Sequence, residues 1–183
     1  MKESLESRIN WNSKFLLVAG IMLIATLIAV LPTQTNAQTT RNIRAVSTTA
    51  TPGQPVTMSF VIDSQGNEGT VQTSVVFPTS ILSNPVVAIG SGAPNGSGVG
   101  TNTSQVAQGR IGVQVFGPNS YTAGTKQMFT ITFNVAPGAA AGTYPVTFSS
   151  TPSPQSVSAA TGGAILTDVT YQPGNIVIGT TAA

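Results

Sequence analysis

The chain of 183 residues has no cysteine and no histidine. It therefore offers no thiolate or imidazole to hold structural zinc, an iron–sulfur cluster or haem in the usual way, and it cannot build a Ser-His-Asp or Cys-His catalytic arrangement. No disulfide can staple the fold. Charge is scarce too: 7% of residues are Asp, Glu, Lys or Arg, where ordinary soluble domains carry about a quarter. Seven basic and five acidic residues leave a net charge of +2, too little to clothe a phosphate backbone, so no nucleic-acid partner is expected. The single tryptophan, Trp11, lies near the amino terminus. Glycine and proline, at 19 and 12 residues, are abundant but stay below the level at which disorder is the default.

What is present begins with a leader. Residues 1–14 are polar and carry Lys2, Arg8 and Lys14. Phe15–Leu31 is an almost unbroken apolar run, Pro32 ends it, and Thr35-Asn36-Ala37 supplies small residues before Gln38. This order is that of a secretory signal peptide, expected to be helical through its apolar run and cleaved after residue 37. The alternative is an uncleaved anchor, since the run sits at the lower limit for spanning a bilayer. Under either reading the remainder, 38–183, works outside the cytoplasm, and the membrane is met only through this segment. That remainder fits one domain, long enough to bury roughly 68–70% of its unfolded surface.

Beyond Pro32 no segment shows a helical apolar period; a two-residue period recurs instead. Val56, Met58, Phe60 and Ile62 share one face of Pro55–Asp63, and Val71, Val75 and Phe77 one face of Gly69–Phe77. Ile111, Val113 and Val115 alternate in Arg110–Phe116, as do Phe129, Ile131, Phe133 and Val135 in Gln127–Val135. Tyr144, Val146 and Phe148 follow in Thr143–Ser149, then Ile176 and Ile178 near Asn175–Gly179. Turn-forming residues separate the runs, as in Thr51-Pro52-Gly53, Gly117-Pro118-Asn119 and Gln172-Pro173-Gly174. Ser91–Gly100 reads as a long glycine-rich loop and Thr151–Gly163 as a second loop connection. Short strands at this spacing predict an all-β fold, an antiparallel sandwich or jelly roll.

Candidate chemistry is thin. Residues 38–183 hold three carboxylates, Asp63, Glu68 and Asp168. Glycoside hydrolysis needs two straddling the scissile bond, but Asp63 and Glu68 flank a turn, where acids commonly serve local hydrogen bonds. Two acids also make a weak oxygen cage for calcium. No enzyme activity, metal or cofactor is expected. Polysaccharide binding through stacking needs an exposed flat ring, and Tyr121, in a turn segment, is the best candidate; Tyr144 and Tyr171 alternate with core positions. Phe116 is out of step with Ile111, Val113 and Val115, which makes it either an exposed anchor or a residue buried by a bulge.

From about Asn42 to Gly179 the order of segments resembles a bacterial cohesin module, the receptor domain of cellulosomes and related surface assemblies. Thr51–Asp63 (TPGQPVTMSFVID) is similar to the family's Gly-Asp-x-Val-x-Val strand after a tight turn. Gly69–Gly92 is similar to the strand leading into its Tyr-Asp-Pro-x-x-Leu corner and the strand beyond, although this corner reads Phe77-Pro78-Thr79-Ser80-Ile81-Leu82 and lacks the acid. Gly109–Gly117, Gly124–Ser150 and Ile165–Gly179 follow in the family's order. The resemblance implies a nine-stranded jelly roll, one sheet face of which docks a dockerin, a small calcium-binding helical module on a partner protein, in polysaccharide breakdown or cell-surface assembly. The outward positions able to form such a face are Thr70, Gln72 and Ser74, with Arg110, Gln114 and Phe116 on the later strand. The family's acids there would fall at Gln72 and near Pro118, where this chain has none. Two other readings stay open: a structural subunit of a surface fibre joined by strand addition, and a carbohydrate-binding module.

Overall fold

β-branched and aromatic residues repeating every second position favour a pleated ribbon with one buried face, and the computed structural model, which describes residues 40–179, is built of such ribbons. The strands are β1 (Arg41–Ala45), β2 (Thr48–Ala50), β3 (Pro55–Ser64), β4 (Glu68–Val76), β5 (Leu82–Ile89), β6 (Gly98–Asn102), β7 (Arg110–Phe116), β8 (Gly124–Val135), β9 (Gly142–Ser149), β10 (Ser156–Ala159), β11 (Val169–Gln172) and β12 (Gly174–Ile178). One sheet runs β11-β1-β3-β8-β5; the other runs β2-β12-β9-β4-β7-β6, with β10 also paired to β4. Three pairs, β1/β2, β9/β10 and β11/β12, are single runs interrupted once, so nine runs make the sandwich among the described residues, as the resemblance implies. The expected signal segment, 1–37, lies outside the described residues.

The inward sets come from the alternations read above. Ile43, Met58, Phe60, Ile62, Phe129, Ile131 and Phe133 on one sheet meet Val71, Val75, Ile111, Val113, Val115, Val146 and Ile176 on the other, all buried. The rings of Phe60 and Phe129 stack at 4.6 Å, and those of Phe77 and Phe133 lie 5.1 Å apart. Each such pair adds about 0.5–1.5 kcal/mol beyond its buried area. Two loop expectations are corrected. The last three residues of Ser91–Gly100 open β6, because Val99 packs against the core and the backbone pairs with β7. Thr151–Gly163 contains β10, because Val157 is an isolated core residue among small polar ones.

The first and last runs both change sheets, and they do so side by side. β1 pairs in parallel with β11, and β2 in parallel with β12, which departs from a purely antiparallel sandwich. The two crossings touch where Asn175 N–H donates to Ser47 Oγ at 3.0 Å. A Cβ on Gly174 would run into the carbonyl of Ala45, so the crossing depends on glycine there.

A buried cation ties three distant segments together. Arg41, 2% exposed, donates from Nε to Glu68 Oε1, from Nη1 to Asp168 Oδ2, and from Nη2 to Asn67 Oδ1 at 2.6 Å. Glu68, itself fully buried, also accepts from Ser64 Oγ and from the backbone N–H of Gln65 at 2.9 Å. The β3–β4 turn is thereby wound around one carboxylate. Burial pushes the Glu68 pKa up, but the hydrogen bonds from Ser64, Gln65 and Arg41 outweigh it and hold the group below its ordinary value. Asp63 is likewise lowered, by hydrogen bonds from Arg44 and Thr125.

Three outcomes follow for stability. Arg41→Met leaves Glu68 buried without its cation and is expected to cost about 3–5 kcal/mol in urea unfolding. Gly174→Ala is expected to cost about 1–3 kcal/mol by the same measurement, since backbone must move to admit the methyl group. Both carboxylates ionise more readily folded than unfolded. Their stabilisation is complete above the unfolded values of 4.5 and 3.8, and unfolding midpoints measured against pH should fall as pH drops below them.

Candidate functional site

Outward-facing polar groups that the sequence marks on separate strands gather on the second sheet, across β10, β4, β7 and β6. Residues opposite one another on neighbouring strands point to the same side. The β4–β7 ladder sets Gln72 against Gln114, Ser74 against Gly112 and Val76 against Arg110. β10 adds Ser156 beside Gln72 and Ser158 beside Thr70. β6 sets Gly98 against Phe116 and Gly100 against Gln114. Thr70, Gln72, Arg110, Gln114 and Phe116, marked separately in the sequence, thus share one sheet face. Gln72, Gln114, Thr101, Asn102 and Ser153, with Gly100 and Gly112, line a depression of about 250 Å³ in it.

Phe116 is 47% exposed, and the register of β7 runs unbroken through it, so no bulge turns it inward. Its ring lies over β6: a Cβ on Gly98 would come within 3.1 Å of Phe116 Cζ. Glycine at that position leaves a seat for the ring, and the other side of the ring is open.

Two expectations are corrected. Ser74 does face outward but is fully buried, because the connection between β9 and β10 crosses above it. Its Oγ donates to the Ser153 carbonyl at 2.8 Å and accepts from the Ser153 N–H at 2.7 Å, and Gly112 has no side chain to obstruct the crossing. Ser74 is therefore a tether for that connection. Tyr121 is 1% exposed and offers no stacking platform. The β7–β8 connection folds back on the β3–β4 turn, where the Tyr121 N–H donates to the Glu68 carbonyl at 2.9 Å. Burial first, and the charge of Glu68 second, push its phenol well above the usual range. Tyr144 donates to the Ala140 carbonyl at 2.9 Å. Tyr171 packs on Phe148 at 5.5 Å, and burial pushes its hydroxyl up to about 12.

The carboxylates sit elsewhere. Asp63 pairs with Arg44 at 2.8 Å, and Glu68 and Asp168 share Arg41. No described cluster of three or more acidic residues could hold a metal ion. The outer face of β10, β4, β7 and β6 has no carboxylate, and Arg110 is its one charged residue.

No protein-family model matches the chain, and no curated protein is significantly similar to it in sequence. Solved structures are similar in fold. The seventh ScaB type I cohesin of Pseudobacteroides cellulosolvens aligns over 78% of this chain and 94% of its own length, with a TM-score of 0.65 at 16% identity. A non-cellulosomal cohesin from the archaeon Archaeoglobus fulgidus covers 78% and 93%, with a TM-score of 0.62 at 17% identity. The Coh-OlpA-Doc918 complex of Clostridium thermocellum, a type I cohesin–dockerin complex, covers 76% and 99%, with a TM-score of 0.64 at 14% identity. The chain has the fold of a cohesin module.

The face and its supports separate by stability. Phe116→Ala and Gln114→Ala, on exposed or half-exposed positions, should change unfolding free energy by less than about 0.5 kcal/mol. Ser74→Ala leaves the Ser153 N–H and carbonyl without their partner and should cost about 1–3 kcal/mol, read from denaturant midpoints of the purified variants.

Proposed function

We propose that this chain is an exported, non-catalytic receptor module that binds a dockerin-type protein through the outer face of β10, β4, β7 and β6. One observation carries the reading: residues scattered over β4 and β7 come together as an open face, with Phe116 half-exposed beside an amide-lined depression. The cohesin fold supports it, as does the presence of dockerin complexes among the structural neighbours. A ring set among hydrogen-bonding groups is the pattern of an interface anchor, and a few such anchors carry most of the binding energy.

Export rests on residues 1–37. The family context of polysaccharide breakdown or surface assembly belongs to the same proposal. The fibre reading has weaker support. The exposed edge strand β5 carries Val86, but it is kinked at Asn84 (φ 50°), occupied by Pro85 and irregular in register between Ser83 and Val86. Such features blunt an edge against strand addition.

The immobilised chain, challenged with the culture supernatant of its source organism, should retain a dockerin-bearing protein. Phe116→Ala should weaken that binding by at least about 2 kcal/mol, measured by surface plasmon resonance. Retention of the chain's own copies alone would favour the fibre reading and count against this one. Mass spectrometry of the secreted protein should find Gln38 at its amino terminus.

A further inference from the structure

Resting on the protein-binding reading above, we infer that the partner meets this face with a neutral to acidic surface and places a carboxylate against Arg110. Among the described residues the three carboxylates are all taken by Arg41 and Arg44. Arg110 is left with no carboxylate of its own. It stands on the outer side of β7, in register with Val76, and its Nη1 donates to Thr151 Oγ1 at 2.8 Å. That hydrogen bond holds the guanidinium against the β9–β10 connection, at the edge of the face. It uses one of five N–H donors, so the fork that suits a carboxylate keeps free donors.

The rest of the face sets the sign of the partner. Thr70, Gln72, Gln114, Ser156 and Ser158 are neutral donors and acceptors, and Phe116 is apolar. A cationic partner would desolvate its charges against amides and hydroxyls and meet Arg110 as a like charge, which disfavours the wrong partner strongly. A carboxylate at Arg110 is the complementary arrangement. Six residue steps along β7 separate Arg110 from Phe116, about 20 Å at strand rise. A standard interface spans that distance, with the ring and the ion pair toward its opposite ends.

The test uses the intact chain and a yeast-displayed library of dockerin modules with randomised surface positions. Selected binders should be enriched in Asp and Glu. Arg110→Ala should weaken them about 2- to 5-fold, as for a solvent-exposed pair. Arg110→Glu should weaken them on the order of 10-fold or more, and changing the binder's acid to lysine should restore affinity toward that variant. Binders enriched in Lys or Arg, or indifferent to both Arg110 substitutions while still lost with Phe116→Ala, would overturn the inference and leave the binding face intact. Failure to select any binder, or binders indifferent to Phe116→Ala, would overturn both. Thermal melting of each variant confirms that the fold is retained.

Discussion

The Arg41–Glu68 ion pair is the constraint on which the remaining geometry depends. Two buried, opposite charges are tolerated only because hydrogen bonds from Ser64 and Gln65 to Glu68, and from Arg41 to Asn67, complete their coordination. Satisfying them fixes the β3–β4 turn and so the residue at which β4 begins. A one-residue slip there would exchange the two faces of β4, sending Val71 and Val75 to solvent and Gln72 to the core. The same cluster anchors β11 through Asp168, whose carbonyl accepts from the Arg41 N–H at 2.9 Å. One guanidinium thus joins the first strand, the turn before the central strand of the opposite sheet, and the lead-in to the last run.

Scarcity of charge gives the outer face its character. Three carboxylates satisfied within the fold leave that face with amides, hydroxyls, one guanidinium and one aromatic ring. On the proposed reading, such a face discriminates by shape and hydrogen-bond geometry, with little long-range steering. The glycines of β6 and β7 complete it. Gly98 seats the Phe116 ring, and Gly112 admits the connection that Ser74 and Ser153 clip down.

The core strands were legible in the sequence because their signal is local. Val56 to Ile62, Ile111 to Val115 and Phe129 to Val135 state their inward faces through alternation alone. The resemblance to cohesins added the connection of those strands, and the shared fold agrees with it. β6 and β10 were harder to see, since one is mostly glycine and small polar residues and the other has a single apolar residue. Their strand character comes from pairing with β7 and β4. The candidate face was legible as positions, but not as accessibility. Whether Ser74 is covered, or Tyr121 plugged beneath a turn, depends on contacts with residues remote in the chain. Arg41 likewise finds its acids 27 and 127 residues away.

On the proposed reading, one sheet face of this sandwich does the binding and the other does not. Because the chain has no native cysteine, single thiols can be placed and labelled without interference. The most direct measurement compares dockerin binding to the chain bearing a bulky maleimide label at Gln114→Cys with binding to the chain labelled at Thr132→Cys, on β8 of the opposite sheet. The label at position 114 should abolish binding and the label at 132 should leave it unchanged. Binding that survives at 114 and is lost at 132 would contradict it.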